Sequence, residues 1–234
     1  MNRFDELLKM AKTTVPKKIA IAAAQDEDVL MAVKSAYLEK ICIPILIGNK
    51  EKIIELSQKI NFNLDDIQII ESKDDNEAAR TAVSMVSSGK ADILMKGLVD
   101  TAIILKAVLD KEIGLRTGNI LSHAAVFESD RYHKLFIITD AAMNIAPSAS
   151  EKKQIIENTL PLCRSLNIEN PKVAVICAKE KVSPKMQATV DAEILVNMNK
   201  NREIKGCMVE GPSGLDNAIS REAAALKGVK GEVA

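Results

Sequence analysis

Residues 91–101 read ADILMKGLVDT. The apolar run ADILM reads as a buried strand that ends in Lys96, turns through Gly97 and feeds a helix whose first turn carries Asp100 and Thr101. A strand end that brings a cation, a flexible backbone and helix N–H groups to one point suits an anion, with phosphate or a phosphorylated substrate as the natural guest. Similar polar loops recur at 139–150, TDAAMNIAPSAS, and at 210–216, EGPSGLD. Three such loops at strand ends point to a cleft enzyme.

The same alternation extends along the chain. Short apolar runs at 18–23, 42–47, 67–70, 91–95, 124–127, 135–139, 173–177 and 206–209 read as strands. Helical periodicity lies between them at 28–40, 50–59, 75–88, 100–110, 150–166, 184–200 and 216–226. Strands apolar on both faces and separated by helices belong to largely parallel sheets covered on both sides, so the class is α/β. The rhythm breaks at KEIGLRTGN, after which two strands are joined only by ESDRYHK. A strand-loop-strand unit of that kind marks an antiparallel pair or a change of sheet, which puts a domain boundary near residues 114–122. The expected domains are 1–118 and 119–234, with the site in the cleft between them. The closing GEVA reads as the approach to another element, so the second domain is expected to be truncated.

Composition excludes several function classes. Lys and Arg total 32 against 32 Asp and Glu, so no overall field draws the chain to nucleic acid or a membrane surface. Aromatics are 3% and Trp is absent, which argues against stacking platforms for single strands. No apolar run approaches the ~20 residues of a membrane span, and MNRFDELLKMAK reads as an amphipathic helix, so a cytoplasmic protein is expected. Cys42, Cys163, Cys177 and Cys207 are far apart, with no CxxC pair and no His at metal-binding spacing. They read as reduced core residues, and no metal site is expected.

The candidate site residues each carry two readings. Lys96 is a point charge for phosphate or a surface lysine beside an ordinary cap, and Thr101 can both cap the helix and offer a hydroxyl to an oxyanion. Gly97 supplies the turn. Arg116, between Gly114 and Gly118, reaches across a cleft to fork onto phosphate or stays a solvated loop arginine. Ser122 and His123 open the next strand, the histidine being either catalytic or a structural residue. Asp140 and Asn144 follow the strand FIIT, where open α/β sheets place functional groups. Gly211, Pro212 and Ser213 read as a turn after a strand, with Asp216 as the cap of the final helix. Neither GxGxxG nor GxxxxGK[ST] occurs.

Taken together, MKGLVDT, GLRTGNILSHAAVF, ITDAAMNIAPS, MVEGPSGLDNAIS and EAAALKGVKGEVA resemble the phosphate acetyl/butyryltransferase family, on its butyryl rather than its acetyl-specific side. The likeness covers essentially the whole chain. It implies a two-domain fold shared with isocitrate and isopropylmalate dehydrogenases, and a homodimer or larger assembly. The implied reaction is reversible transfer of a short acyl group such as butyryl from coenzyme A to inorganic phosphate. Coenzyme A and phosphate are then substrates, with no tightly bound cofactor, metal or covalent acyl-enzyme. Arg116 and Lys96 would hold phosphate, while Lys96, Thr101 and either Ser122 or His123 are candidates to serve the developing oxyanion and the departing thiolate. Gly97, Asp140, Asn144, Gly211, Pro212 and Ser213 would line the substrates. Family members continue past this chain's last residue with further active-site residues, which cannot be placed here. Two other readings stay open: an NAD-dependent dehydrogenase of the same fold, and an inactive truncated acyl-CoA-binding module.

Overall fold

The computed structural model of the chain describes residues 3–229 and 233. It divides into two compact units, residues 8–118 and residues 119–229 together with 3–7. Both are mixed α/β structures with parallel strands and helices.

The elements up to residue 118 are α1 (Phe4–Lys12), β1 (Lys17–Ala22), α2 (Glu27–Leu38), β2 (Cys42–Gly48), α3 (Lys50–Lys59), β3 (Gln68–Glu71), α4 (Asp75–Ser87), β4 (Ile93–Lys96) and α5 (Thr101–Val108). The four strands form a parallel sheet in the order β3-β2-β1-β4. Alternate residues of the two central strands face opposite sides, as the two-residue period of a strand requires. Ala20, Ala22, Ile45 and Ile47 pack with Ala78, Ala79, Ala82 and Val83 of α4 and Ile104 and Ala107 of α5. Ile21 and Leu46 pack with Leu30 and Val33 of α2 and Ile53 of α3. Both faces are therefore dry, and the small side chains of α4 allow that helix to lie close on the sheet. Helix starts are set by Asp26, Asn49, Asp74 and Asp100, each of which accepts a backbone N–H from the first turn.

One expectation fails here. Strand β4 is not buried: it is the edge of the sheet, Ile93 is 44% exposed, and Leu94 and Met95 are half-buried. An edge strand loses the flanking neighbour that would shield its ends, and the apolar run ADILM gives no sign of that.

The second unit contains β5 (Ala125–Phe127), β6 (Phe136–Ile138), α6 (Ala149–Ser165), β7 (Lys172–Ile176), α7 (Gln187–Lys200), β8 (Met208–Ser213), α8 (Leu215–Ile219) and α9 (Arg221–Leu226). Strands β5 and β6 pair antiparallel, as the short ESDRYHK link allows, and β7 and β8 pair in parallel. Ile156 of α6, Leu195 of α7, Val209 of β8 and Ile204 from the loop before β8 form a buried cluster of this unit, backed by Val173 and Val175.

Two further expectations are corrected at its end. Gly211, Pro212 and Ser213 are not a turn: they continue β8, Ser213 standing opposite Ile176 after a register shift between Ala174 and Ile176. Among the described residues β8 pairs with β7 alone, and a missing N–H costs little on an unpaired side, so proline is tolerated there. The final helix is in fact two, broken at Ser220, which caps α9, while α8 starts from Gly214. Asp216 is therefore no cap: its carboxylate pairs with Lys227 at 3.0 Å. The reading of Glu232 and Ala234 as the start of a further element lies outside the described residues.

Candidate active site

At the end of β4 the chain crosses over the end of β1. The Gly97 N–H donates to Ala22 O at 2.8 Å and the Leu98 N–H to Ala23 O at 3.1 Å. A Cβ on Gly97 would stand 2.3 Å from Ala23 O and 2.6 Å from Ala22 O, so only glycine fits this crossing. Lys96, beside Ala22 in the register, is exposed, and its Nζ lies 3.4 Å from Gly97 O. It has no carboxylate partner among the described residues. Thr101 does not cap α5. Asp100 does, Oδ1 accepting the Ala102 N–H at 2.6 Å, and Thr101 is the exposed first residue of the helix. The Asp100 carboxylate accepts a first-turn N–H from the cap position itself, one residue upstream, leaving the Thr101 hydroxyl unused by the cap.

Arg116 follows a tight return onto the end of α5. The Leu115 N–H donates to Val108 O at 2.8 Å, and a Cβ on Gly114 would come within 2.2 Å of Asp110 O. Asp110 is held low by the N–H groups of Glu112 and Ile113 and by Arg80. Arg116 itself is exposed and makes no ion pair with a described residue. Gly118 then takes a left-handed conformation with φ 95°.

In the second unit His123 and Asn144 are brought together around the Asp140 carboxylate, while Ser122, next to His123 in the chain, is held by Asn158 instead. Asp140 Oδ2 accepts the His123 N–H at 3.2 Å and Asn144 Nδ2 at 2.6 Å, while Oδ1 accepts the Ala142 and Met143 N–H groups, each at 2.8 Å. Burial pushes this carboxyl up, but the bonds from Met143, Ala142, Asn144 and His123 outweigh it and hold it at about 2, below the ordinary 3.8. Asp140 is thus an ionised anchor with its oxygens already engaged. Asn144 Nδ2 also reaches Leu121 O at 3.0 Å, and Thr139 Oγ1 donates to His123 O at 2.6 Å. The His123 Nδ1 atom is buried with no hydrogen-bond partner among the described residues.

Helix α6 supplies residues that the sequence reading missed. The Ser148 and Glu151 side chains form a reciprocal capping box at its start. Gln154 Oε1 accepts the Ile120 N–H at 2.9 Å. Asn158 Nδ2 donates to Ile120 O at 2.8 Å and to Ser122 Oγ at 2.9 Å, and Asn158 Oδ1 accepts from Asn119 Nδ2 at 3.0 Å. A usable signal was present: two amides four residues apart fall on one helix face.

Gly211, Pro212 and Ser213 share no hydrogen bond with that cluster among the described residues. Gly211 lets β8 approach β7, since a Cβ there would meet Val175 Cβ at 2.9 Å. Ser213 O accepts the Cys177 N–H at 2.8 Å. Beside these strand ends lies a largely buried ion pair between Lys152 of α6 and Asp191 of α7, with Gln187 on the second carboxylate oxygen. The four thiols are free, and burial pushes each of them up, so none is set to act as a thiolate. No helix of the described residues is long and apolar enough to cross a membrane.

Known proteins are similar to this chain in sequence and in fold. The phosphate acetyl/butaryl transferase family profile matches residues 3–81 and 76–234. A phosphate butyryltransferase of Clostridium beijerinckii is 49% identical over 231 residues, covering 99% of this chain and 76% of that protein. The crystal structure of a branched-chain phosphotransacylase from Enterococcus faecalis superposes with a TM-score of 0.77 at 32% identity, over 93% of this chain and 75% of the other. A 4-hydroxythreonine-4-phosphate dehydrogenase from Burkholderia phymatum shares the fold alone, with a TM-score of 0.55 at 15% identity over 87% of this chain and 76% of that one. The extent of the profile match and the identity to curated relatives decide the matter: this chain belongs to the phosphate acetyl/butaryl transferase family.

Proposed function

We propose that this protein is a phosphate acyltransferase that moves a short acyl group, butyryl in the first instance, between coenzyme A and inorganic phosphate. A phosphate oxygen attacks the thioester carbonyl, a C–O bond forms, the C–S bond breaks, and acyl phosphate and the coenzyme A thiolate leave. The observation that carries this reading is the likeness, over nearly the whole chain, to the C. beijerinckii phosphate butyryltransferase.

The local chemistry supports it. Lys96 and Arg116, exposed and without a carboxylate partner among the described residues, supply positive charge for phosphate, which also favours the more nucleophilic dianion. Thr101, Ser122 and His123 offer donors for the oxyanion that develops on the thioester. Gly97 brings backbone close, Asp140 and Asn144 hold the loop that carries their neighbours, and Gly211, Pro212 and Ser213 shape a substrate-facing strand end. Thiols pushed up by burial favour direct transfer to phosphate over a cysteine acyl-enzyme. In this reading residues 1–118 and 119–234 act as two domains of the isocitrate/isopropylmalate dehydrogenase type, in a cytoplasmic homodimer or larger assembly. Coenzyme A and phosphate are substrates, and no cofactor is held.

Thiol release from butyryl-CoA, followed with and without phosphate, tests the reading. Release is expected only with phosphate, together with an acyl phosphate that hydroxylamine traps as the hydroxamate. Equal rates under both conditions would identify a thioesterase and end the proposal.

A further inference from the structure

We infer that Asn158 is a positioning residue that fixes the direction of the Ser122 hydroxyl, so that the Ser122 proton is held ready for an oxyanion. The inference rests on the acyl-transfer reading above.

The polarity of the Asn158 amide is set by its surroundings. Its nitrogen lies 2.8 Å from Ile120 O, and a backbone carbonyl can only accept. The amide oxygen must then face Asn119 Nδ2, which donates to it at 3.0 Å. With the nitrogen so placed, the contact of 2.9 Å to Ser122 Oγ has a single possible sense, in which Asn158 donates and the serine oxygen accepts. The serine proton takes no part in that bond. It meets no acceptor among the described residues, although Ser122 is half-buried.

Both ends of this arrangement are rigid. Asn158 sits in the middle of the 17-residue α6, whose start is fixed by the capping box. The segment around Ser122 is tied on both sides, by Gln154 on the Ile120 N–H and by Asp140 on the His123 N–H. A hydroxyl whose lone pair is already engaged and whose backbone is pinned has lost most of its rotational freedom before any ligand arrives. Preorganised donors of this kind stabilise charge that develops in the transition state, since no reorganisation is needed when it appears. Ser122 therefore donates to the thioester oxygen as it becomes an oxyanion, and Asn158, which touches no substrate, acts through it.

The test is a double-mutant cycle on the protein in the phosphate-dependent thiol assay. Ser122→Ala should lower kcat by about 10- to 100-fold, with the KM of phosphate and of butyryl-CoA within about twofold of wild type, as expected for a bond made only in the transition state. Asn158→Asp keeps the shape but turns the donor into an acceptor that recruits the serine proton, and it should reproduce that kcat loss. The double variant should be no slower than either single one. Asn158→Ala buries no charge and carries the same comparison if the carboxylate prevents folding. Multiplying losses in the double variant, a change confined to either KM, or wild-type kcat in folded Asn158 variants would each overturn the positioning role. A wild-type protein whose thiol release ignores phosphate would instead remove the acyl-transfer reading, and the inference with it.

Discussion

Asp140 shows how one side chain can organise a loop. Its oxygens are taken by three backbone N–H groups and one amide, which hold its pKa at about 2. A carboxyl lower in the folded than in the unfolded chain adds stability that is fully present above the unfolded value and is lost as pH falls through the folded one. Asp140→Asn should therefore lower stability near neutral pH, and the gap to wild type should shrink as pH drops from about 4 to 2. Urea titrations of both proteins across that range check it, and a constant gap would show that the charge contributes nothing. Arg116 is the opposite kind of residue, with little to lose on folding. Arg116→Ala should raise the phosphate KM or lower kcat about tenfold, roughly 1.4 kcal/mol, while stability changes by less than about 0.5 kcal/mol. Unaltered phosphate kinetics in the folded variant would return Arg116 to the solvated surface.

At the scale of elements, the crossing from β4 to α5 depends on Gly97 because the carbonyls of Ala22 and Ala23 occupy the space of a side chain. Gly97→Ala must push β4 from β1 or bend the turn, and overpacking of this sort costs about 1–3 kcal/mol. The same shift would displace Lys96 from its register with Ala22. Denaturant midpoints together with phosphate KM should both worsen in this variant. A stable protein with normal KM would mean the turn relaxes freely. Helix α6 performs a comparable service for the second unit: Gln154 and Asn158 hold the segment that ends in Ser122, and Lys152 reaches Asp191 on α7.

Across the whole molecule, burial is uneven. Ala20, Ile21, Ala22, Leu46 and Ile47, in the two central strands of the four-stranded sheet, have no exposed surface. The two-stranded β7–β8 sheet has partly exposed positions along β7, with Ile176 at 51%. Amide exchange should be slowest in β1 and β2 and at least about tenfold faster in β7, because exchange from a dry core requires its larger-scale opening. Equal protection of the two sheets would show that they open as one cooperative body. With a formal net charge of +0, the protein has no long-range field to gather anionic substrates, so recognition falls to local groups such as Lys96 and Arg116.

The sequence by itself determined the alternation of strands and helices, because periodicity, caps and turns are local properties. The helix read at 50–59 is α3, Lys50–Lys59, and the paired strands around ESDRYHK stand where the apolar runs put them. It also carried the family likeness, spread over four separate segments. The tertiary structure alone decided what depends on distant partners. That β4 is an edge follows from the strand order, which no window of sequence contains. That β8 runs through Pro212 follows from its pairing with β7 alone among the described residues, and the need for glycine at 97 comes from carbonyls at the end of β1. The Asn158 amide reaches Ser122 across 36 residues, a hydrogen bond whose geometry exists only after the chain has folded back on itself.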